Sequence, residues 1–127
     1  MPTLDEGTPR FLQIADQLAD DIVDGQLAEG TRVPSTNELA AFYRINPATA
    51  AKGINMLVDD GVLEKRRGIG MFVAVGARER LLVARRKLFA EQYVDPMVAE
   101  ASRLGIDSDT LVSLVRETSL SNGGKTR

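Results

Sequence analysis

Arg32-Val33-Pro34-Ser35-Thr36-Asn37-Glu38-Leu39-Ala40, then Asn46-Pro47-Ala48-Thr49-Ala50-Ala51-Lys52-Gly53-Ile54, then Val62-Leu63-Glu64-Lys65-Arg66-Arg67-Gly68-Ile69-Gly70-Met71-Phe72-Val73: these pieces, in this order, decide the fold. Ser35-x-x-Glu38 is a capping box, in which the serine hydroxyl accepts from the Glu38 amide while the Glu38 carboxylate reaches back to the amide of Ser35. Asn46-Pro47 is a second helix start, with asparagine as the cap and proline at the first turn, where its missing N–H costs nothing. The link at 43–45 between the two helices is short, as a helix-turn-helix requires. Residues 62–66 and 71–75 read as strands joined by Arg67-Gly68-Ile69-Gly70, whose glycines allow the positive φ of a tight hairpin. Two capped helices followed by a basic hairpin are the layout of a winged helix-turn-helix.

Upstream, Thr8-Pro9 reads as a cap and first helical position, and Phe11, Ile14, Leu18 and Ile22 recur at helical spacing, so a first helix is expected over 9–24 with Gly25 as its left-handed stop. Downstream, the helical period returns from about Ala77. Asp95-Pro96 interrupts it, because proline removes a backbone hydrogen bond and clashes with the preceding turn; helix 4 is expected to kink there, or to stop and restart with Asp95 as a cap. Gly105 closes that segment, and Asp107 or Ser108 caps a last helix. The expected fold class is mainly α with a small β-hairpin: a winged helix-turn-helix over 1–75, a helical two-helix extension over 76–120 and a disordered C-terminus over 121–127.

With 127 residues, of which 43% are hydrophobic, there is material for one modest core and an appendage, not a second full domain. No apolar run is long enough to span a bilayer and no leader is evident, so a soluble, cytoplasmic protein is expected. Cysteine and histidine are both absent. Disulfides are thereby excluded, the usual zinc ligands and the commonest general base are missing, and neither an enzyme nor a metal or cofactor is expected. A net charge of −2 argues mildly against nucleic acid, but its distribution matters more: Asp16, Asp20, Asp21 and Asp24 gather in the first helix, whereas Lys65, Arg66 and Arg67 fall together. A local positive footprint is what displaces counterions from DNA, so the acidic helix has to face away from it.

At about 100° per residue, Ala50, Gly53, Ile54 and Leu57 share one side of the third helix and form its buried stripe. Ala48, Lys52 and Asn55 lie opposite, with Thr49 and Ala51 on the flanks. One cation, an amide, a hydroxyl and small methyl-bearing side chains suit close entry into a major groove. Standing alone, such a face would be plain solvated surface; its place in a capped helix-turn-helix favours DNA. Ser35 and Thr36 open the second helix, where free amides and the positive dipole end favour a phosphate. Lys65, Arg66 and Arg67 beside Gly68 suit the DNA backbone or a minor groove.

Together these residues resemble the GntR family of bacterial transcription regulators. The resemblance is carried by Pro9-x-Phe11-x-Gln13-Ile14, by Gly25-x-Leu27-x-x-Gly30-x-Arg32-Val33-Pro34-Ser35-x-x-Glu38-Leu39-Ala40, and by Leu57-x-x-x-Gly61-x-Leu63-Glu64-x-Arg66-x-Gly68-x-Gly70-x-Phe72-Val73. Asn46-Pro47-x-Thr49 with Lys52 and a short two-helix tail look like its YtrA-like subfamily, whose tail serves mainly dimerisation and whose members often regulate transport operons. Carried over position by position, the resemblance implies DNA contacts at Arg32, Ser35, Thr36, Asn46, Ala48, Thr49, Lys52, Arg66, Arg67 and Gly68. Many family members carry arginine where Asn37, Pro47 and Ala51 stand here, so fewer arginine readers are available and DNA shape gains weight.

Only about fifty residues come after Val75, too few for the large effector domain of bigger family members. Two helices cannot bury their own apolar stripe, so Leu81, Leu88, Phe89, Val94, Met97, Val98, Leu104, Leu111, Leu114 and Val115 are expected to meet a second protomer, with some of them packing on their own winged helix as the bland alternative. The expected function is a homodimeric repressor on a palindromic site in double-stranded DNA. The competing class is a winged helix that binds another protein. A small-molecule effector is left open.

Overall fold

The computed structural model describes residues 8–123. The chain forms two compact units, the first ending at Ala84 and the second beginning at Arg85. The first contains helix α1 (Arg10–Val23), α2 (Thr36–Tyr43), α3 (Pro47–Asp59), strands β1 (Leu63–Arg66) and β2 (Gly70–Val73), and the opening turns of α4 (Ala77–Phe89). The second contains the end of α4, a π-helical turn at Ala90–Val94, α5 (Asp95–Arg103) and α6 (Ser108–Gly123).

The local signals act as written. Ser35 caps α2 with both bonds of the box, Glu38 N to Ser35 Oγ at 3.1 Å and Ser35 N to Glu38 Oε1 at 2.8 Å. The Asn46 side chain accepts from Ala48 N at 2.8 Å and Pro47 stands in the first turn of α3. Between the two helices Arg44 takes a left-handed conformation, φ 57°, and the chain reverses as Ile45 N donates to Ala40 O at 3.0 Å. One cap differs from the sequence reading. Pro9, not Thr8, precedes α1 and gives no side-chain cap; its ring fixes φ at −54° and so sets the boundary itself. The carbonyl of Thr8 instead accepts from Gln13 Nε2 at 2.6 Å.

The core of the first unit gathers Ile14, Leu18 and Ile22 from α1, Leu39 from α2, Ala50, Ile54 and Leu57 from α3, and Val33, Val62, Leu63 and Val73 from the hairpin and its approach. Ile14, Ile22, Ile54, Leu63, Val62 and Val73 are fully buried, each contributing about 1.5–3 kcal/mol through removal from water. The hairpin pairs Leu63 with Val73, Glu64 with Phe72, Lys65 with Met71 and Arg66 with Gly70. Residues 30–33 add an edge that the sequence reading shows only as an extended piece: Arg32 bridges Phe72, Val33 N donates to Met71 O and Val73 N to Thr31 O, each at 2.9 Å.

Helix α1 meets α3 at Gly53. A Cβ there would lie 2.7 Å from the Phe11 carbonyl oxygen and 3.3 Å from Ile14 Cβ, both parts of a neighbour that cannot swing aside.

The winged-helix unit extends past the expected limit at 75. Ala77 is fully buried, and Leu81, one of the residues expected to meet a second protomer or to pack on its own winged helix, is partly buried against this core. Long-range polar contacts hold this joint. Glu29 accepts from Gly76 N at 2.9 Å and Arg78 N at 3.4 Å, capping the start of α4; Arg78 Nε donates to Val23 O at 2.9 Å; Arg80 donates to Gly61 O at 2.8 Å and Val75 O at 3.0 Å.

In the second unit, Pro96 is accommodated without a break. The turn before it widens to π geometry and Asp95 N donates to Ala90 O, five residues back, so the ring's conflict with the Gln92 carbonyl is relieved. Asp95 gives no side-chain cap, because the helix does not restart. Gly105, φ 73°, turns the chain, and Asp107 caps α6 by accepting from Thr110 N at 2.9 Å. Disorder is expected from 121, yet α6 runs through Gly123, since neither Ser121 nor Asn122 breaks a helix already propagating. Residues 124–127 lie outside the described residues. Among residues 85–123 only Ala101 is buried, while Leu88, Phe89, Tyr93, Met97, Val98, Leu104, Val112, Leu114 and Val115 are exposed and Val94 and Leu111 are half-buried.

Glycine in the middle of a helix is worse than alanine by about 1 kcal/mol, so in an open helix Gly53→Ala would stabilise. Here the close approach decides the sign. Gly53→Ala is expected to destabilise the chain by roughly 1–3 kcal/mol in urea unfolding, as overpacking does; a stability gain would show that the two helices can part freely.

Candidate nucleic-acid interface

Helix α3 turns Ala50, Gly53, Ile54 and Leu57 inward and leaves Ala48, Lys52 and Asn55 exposed, with Thr49 and Ala51 half-buried on the flanks. This is the division that its spacing predicts. Lys52, however, does not extend freely: its ammonium lies over the Phe11 ring, 4.1 Å from the centroid. Such a contact at an exposed site is worth about 0.5–1 kcal/mol, small enough to be exchanged for a base or phosphate. Phe11 is therefore a seat that holds Lys52 beside the small residues of the helix. The sequence reading missed it, because only the close approach at Gly53 brings the two residues together.

A groove of about 370 Å³ runs between the start of α2 and the hairpin, lined by Ser35, Thr36, Lys65, Arg66, Gly68 and Ile69 over a floor that includes Ile54 and Met71. It brings together Ser35, Thr36, Arg66 and Gly68 with Lys65, which the sequence also marks as a wing cation, and adds Ile69, which was not expected there. At its rim the amides of Thr36 and Asn37, in the first turn of α2, have no acceptor among the described residues. Donors of this kind, at the positive end of a helix dipole, suit an anion.

The hairpin's cations are held unequally. Arg66 stacks on Phe72, 4.1 Å from the ring centroid, and donates to Glu64 Oε2 at 3.1 Å, so its charge is partly answered within the wing. The Arg32 guanidinium lies across Gly70, where a Cβ would come 2.7 Å from its Nε. Arg67 and Lys65 are exposed and make no hydrogen bond or ion pair with other described residues. Asn46 has its carbonyl oxygen committed to the cap of α3, leaving its NH₂ for any further contact. Asn37 and Pro47 are exposed and Ala51 is half-buried.

Two carboxylates stand close to this surface, Glu64 on the wing and Glu38 in the cap of α2, whereas Asp21 lies apart. Asp21 lines a separate recess between α1 and α2 with Gln17, Phe42 and Tyr43, and there burial, with Asp21 adding to it, raises the Tyr43 hydroxyl above its usual pKa. Glu38 is held below the ordinary glutamate value, first by the hydrogen bond from the Ser35 amide, then by that of the Ser35 side chain, with Arg32 helping at longer range.

Three helices and a basic hairpin that leave the outer face of α3 and the groove beside it uncovered define a winged-helix protein. The chain belongs to the gntR family of bacterial regulatory proteins, whose family model matches residues 11–73, and it is a transcriptional regulator with a DNA-binding domain. It is 29% identical to the HTH-type transcriptional repressor YtrA of Bacillus subtilis (strain 168), over 93% of this chain and 91% of that one. A GntR-family transcriptional regulator from Bacteroides thetaiotaomicron shares the fold at a TM-score of 0.76 with 32% identity, over 88% of this chain and 97% of the other. The DNA-binding domain of AraR, crystallised in complex with operator ORX1, matches at a TM-score of 0.52 with 29% identity, over 58% of this chain and 90% of that one.

The capping box makes the groove's rim sensitive to pH. Because Glu38 is depressed in the folded chain, its contribution is fully present above the ordinary value of 4.5 and is lost as the pH falls below that through the folded value. Ser35→Ala is expected to cost about 1 kcal/mol at neutral pH. Glu38→Ala is expected to lower the urea midpoint at pH 7 and to approach the parent chain's midpoint under acid conditions; a gap that stays constant with pH would overturn this account of the cap.

Proposed function

We propose that the chain is a homodimeric repressor that binds a palindromic operator, each protomer laying α3 in a major groove with its wing against the adjacent backbone. The observation that carries this reading is the groove between α2 and the hairpin, where unpaired helix amides and the Lys65 and Arg66 side chains line one recess fit for a phosphate strand. Ala48, Thr49 and Lys52 then face base edges, and Arg32, Ser35, Thr36, Asn46, Arg66, Arg67 and Gly68 hold the register on phosphates. The AraR domain in complex with its operator supports a DNA partner for this fold. The repressor sense rests on likeness to the repressor YtrA.

The second unit supplies the reason for pairing. One buried residue, Ala101, among residues 85–123 is too little core to hold three helical segments in water, and Phe89 and Tyr93, 5.4 Å apart, remain 58% and 62% exposed. A second copy covers such a face with its own equivalent and presents two recognition helices to a two-fold site. In this reading Leu88, Phe89, Met97, Val98, Leu104, Leu114 and Val115 meet the partner, with Tyr93 and Val112 joining them.

Light scattering is expected to give twice the chain mass, and Phe89→Asp with Val115→Asp a monomer whose DNA affinity falls sharply. A monomeric parent chain would overturn the dimer. In mobility-shift assays affinity is expected to fall linearly with the logarithm of salt. Arg67→Ala should lower it uniformly across sequences, whereas Lys52→Ala should cost roughly 1–3 kcal/mol at one operator position and relax selection there. Equal loss of selectivity in both variants would show that the two roles are misassigned.

A further inference from the structure

Ile69 is a large apolar side chain carried by the turn of the wing. It closes the three-residue turn at 67–69, its amide donates to Arg66 O at 2.9 Å, and it remains 62% exposed although one flank lines the groove beside α2. Gly68 precedes it at φ 75°, with open space where a Cβ would project, and Gly70 comes next at φ 141°. Glycine on both sides leaves no neighbouring side chain directly before or after it. Lys65 and Arg67, both exposed, flank it with positive charge. A β-branched apolar residue held out in water between cations gains nothing from solvent, but it matches the demands of a narrow DNA groove, where charge grips the phosphate walls and a slender apolar group reaches the floor.

We propose that Ile69 is a minor-groove wedge: on binding it enters the groove beside the recognition site, partly unstacks one base step and bends the duplex. This rests on the DNA-binding reading above and deepens it. The wedge supplies sequence selection without a hydrogen bond, because pyrimidine–purine steps unstack most easily. It also answers a deficit on this chain. With Lys52 the one cation in α2 and α3, few long readers are available on the helices, and a bent site selected by its deformability restores discrimination that direct contacts do not provide.

The test uses duplexes enriched by the parent chain from a random-sequence pool, with bending read by circular permutation or by end-to-end fluorescence transfer. The parent chain is expected to bend the enriched duplexes and to favour a TA or CA step one wing's reach from the α3 contacts. Ile69→Ser should lose most of the bend and that preference and bind roughly tenfold more weakly, with an unchanged thermal midpoint because the side chain is exposed. Ile69→Met should keep the bend. Arg67→Ala should weaken binding while the bend persists. If the parent chain enriches DNA and Ile69→Ser bends it and selects it equally, the wedge is overturned and the DNA reading stands. If the parent chain enriches no sequence and shifts no duplex at low salt, both fall.

Discussion

The approach of α1 to α3 at Gly53 is the constraint on which the rest of the winged helix depends. With the Phe11 carbonyl oxygen 2.7 Å from the place of a Cβ, α3 lies against α1 as closely as two backbones allow. That contact fixes which side of α3 is buried, since Ile54 and Leu57 then reach the core formed by Ile14, Leu18 and Ile22. It also fixes which side is left over. Lys52, one position before Gly53, is carried across the Phe11 ring, and the small side chains of Ala48, Thr49 and Ala51 make the outward surface shallow. One missing methyl group thus sets both the packing of the helix and the profile that it offers to a groove.

A second set of contacts, polar and long-range, ties the wing to the start of α4. Glu29 caps α4 from the turn after α1, while Arg80 reaches back from α4 to the carbonyls of Gly61 and Val75 on either side of the hairpin. All are exposed, so each is worth little in isolation. Their effect is geometric: with Ala77 fully buried beside them, they join the first turn of α4 to the winged-helix core. α4 thus begins as part of the winged-helix unit, instead of on a free linker.

What the sequence made legible was local. Both caps of the helix-turn-helix, the buried stripe of α3, the turn residues of the wing and the cap at Asp107 each depend on residues a few positions apart, and each is found where spacing places it. The misses have the opposite character. That Arg32 joins the wing by pairing with Phe72, that Glu29 caps a helix far along the chain and that Phe11 receives Lys52 are all facts of tertiary approach, which no window of neighbouring residues records. Pro96 is an intermediate case. Its disruption was legible, but a proline's clash can be relieved by a kink, a restart or a widened turn, and the choice of the π-helical turn at Ala90–Val94 lies below what local pattern can distinguish.

The cations of the interface differ in how far the fold has already committed them, and this ordering bears on how a site would be chosen. Arg66 is braced by Glu64 and Phe72, Arg32 by its place across Gly70, and Lys52 by Phe11, so these three are held before any partner arrives. Pre-held side chains lose little entropy on binding, but each can reach only a limited set of atoms. Lys65 and Arg67 are unbraced and can track a phosphate backbone wherever it runs, which yields affinity with little discrimination. In the DNA-binding reading proposed above, the braced cations, Lys52 among them, discriminate between sites, and the unbraced ones add strength.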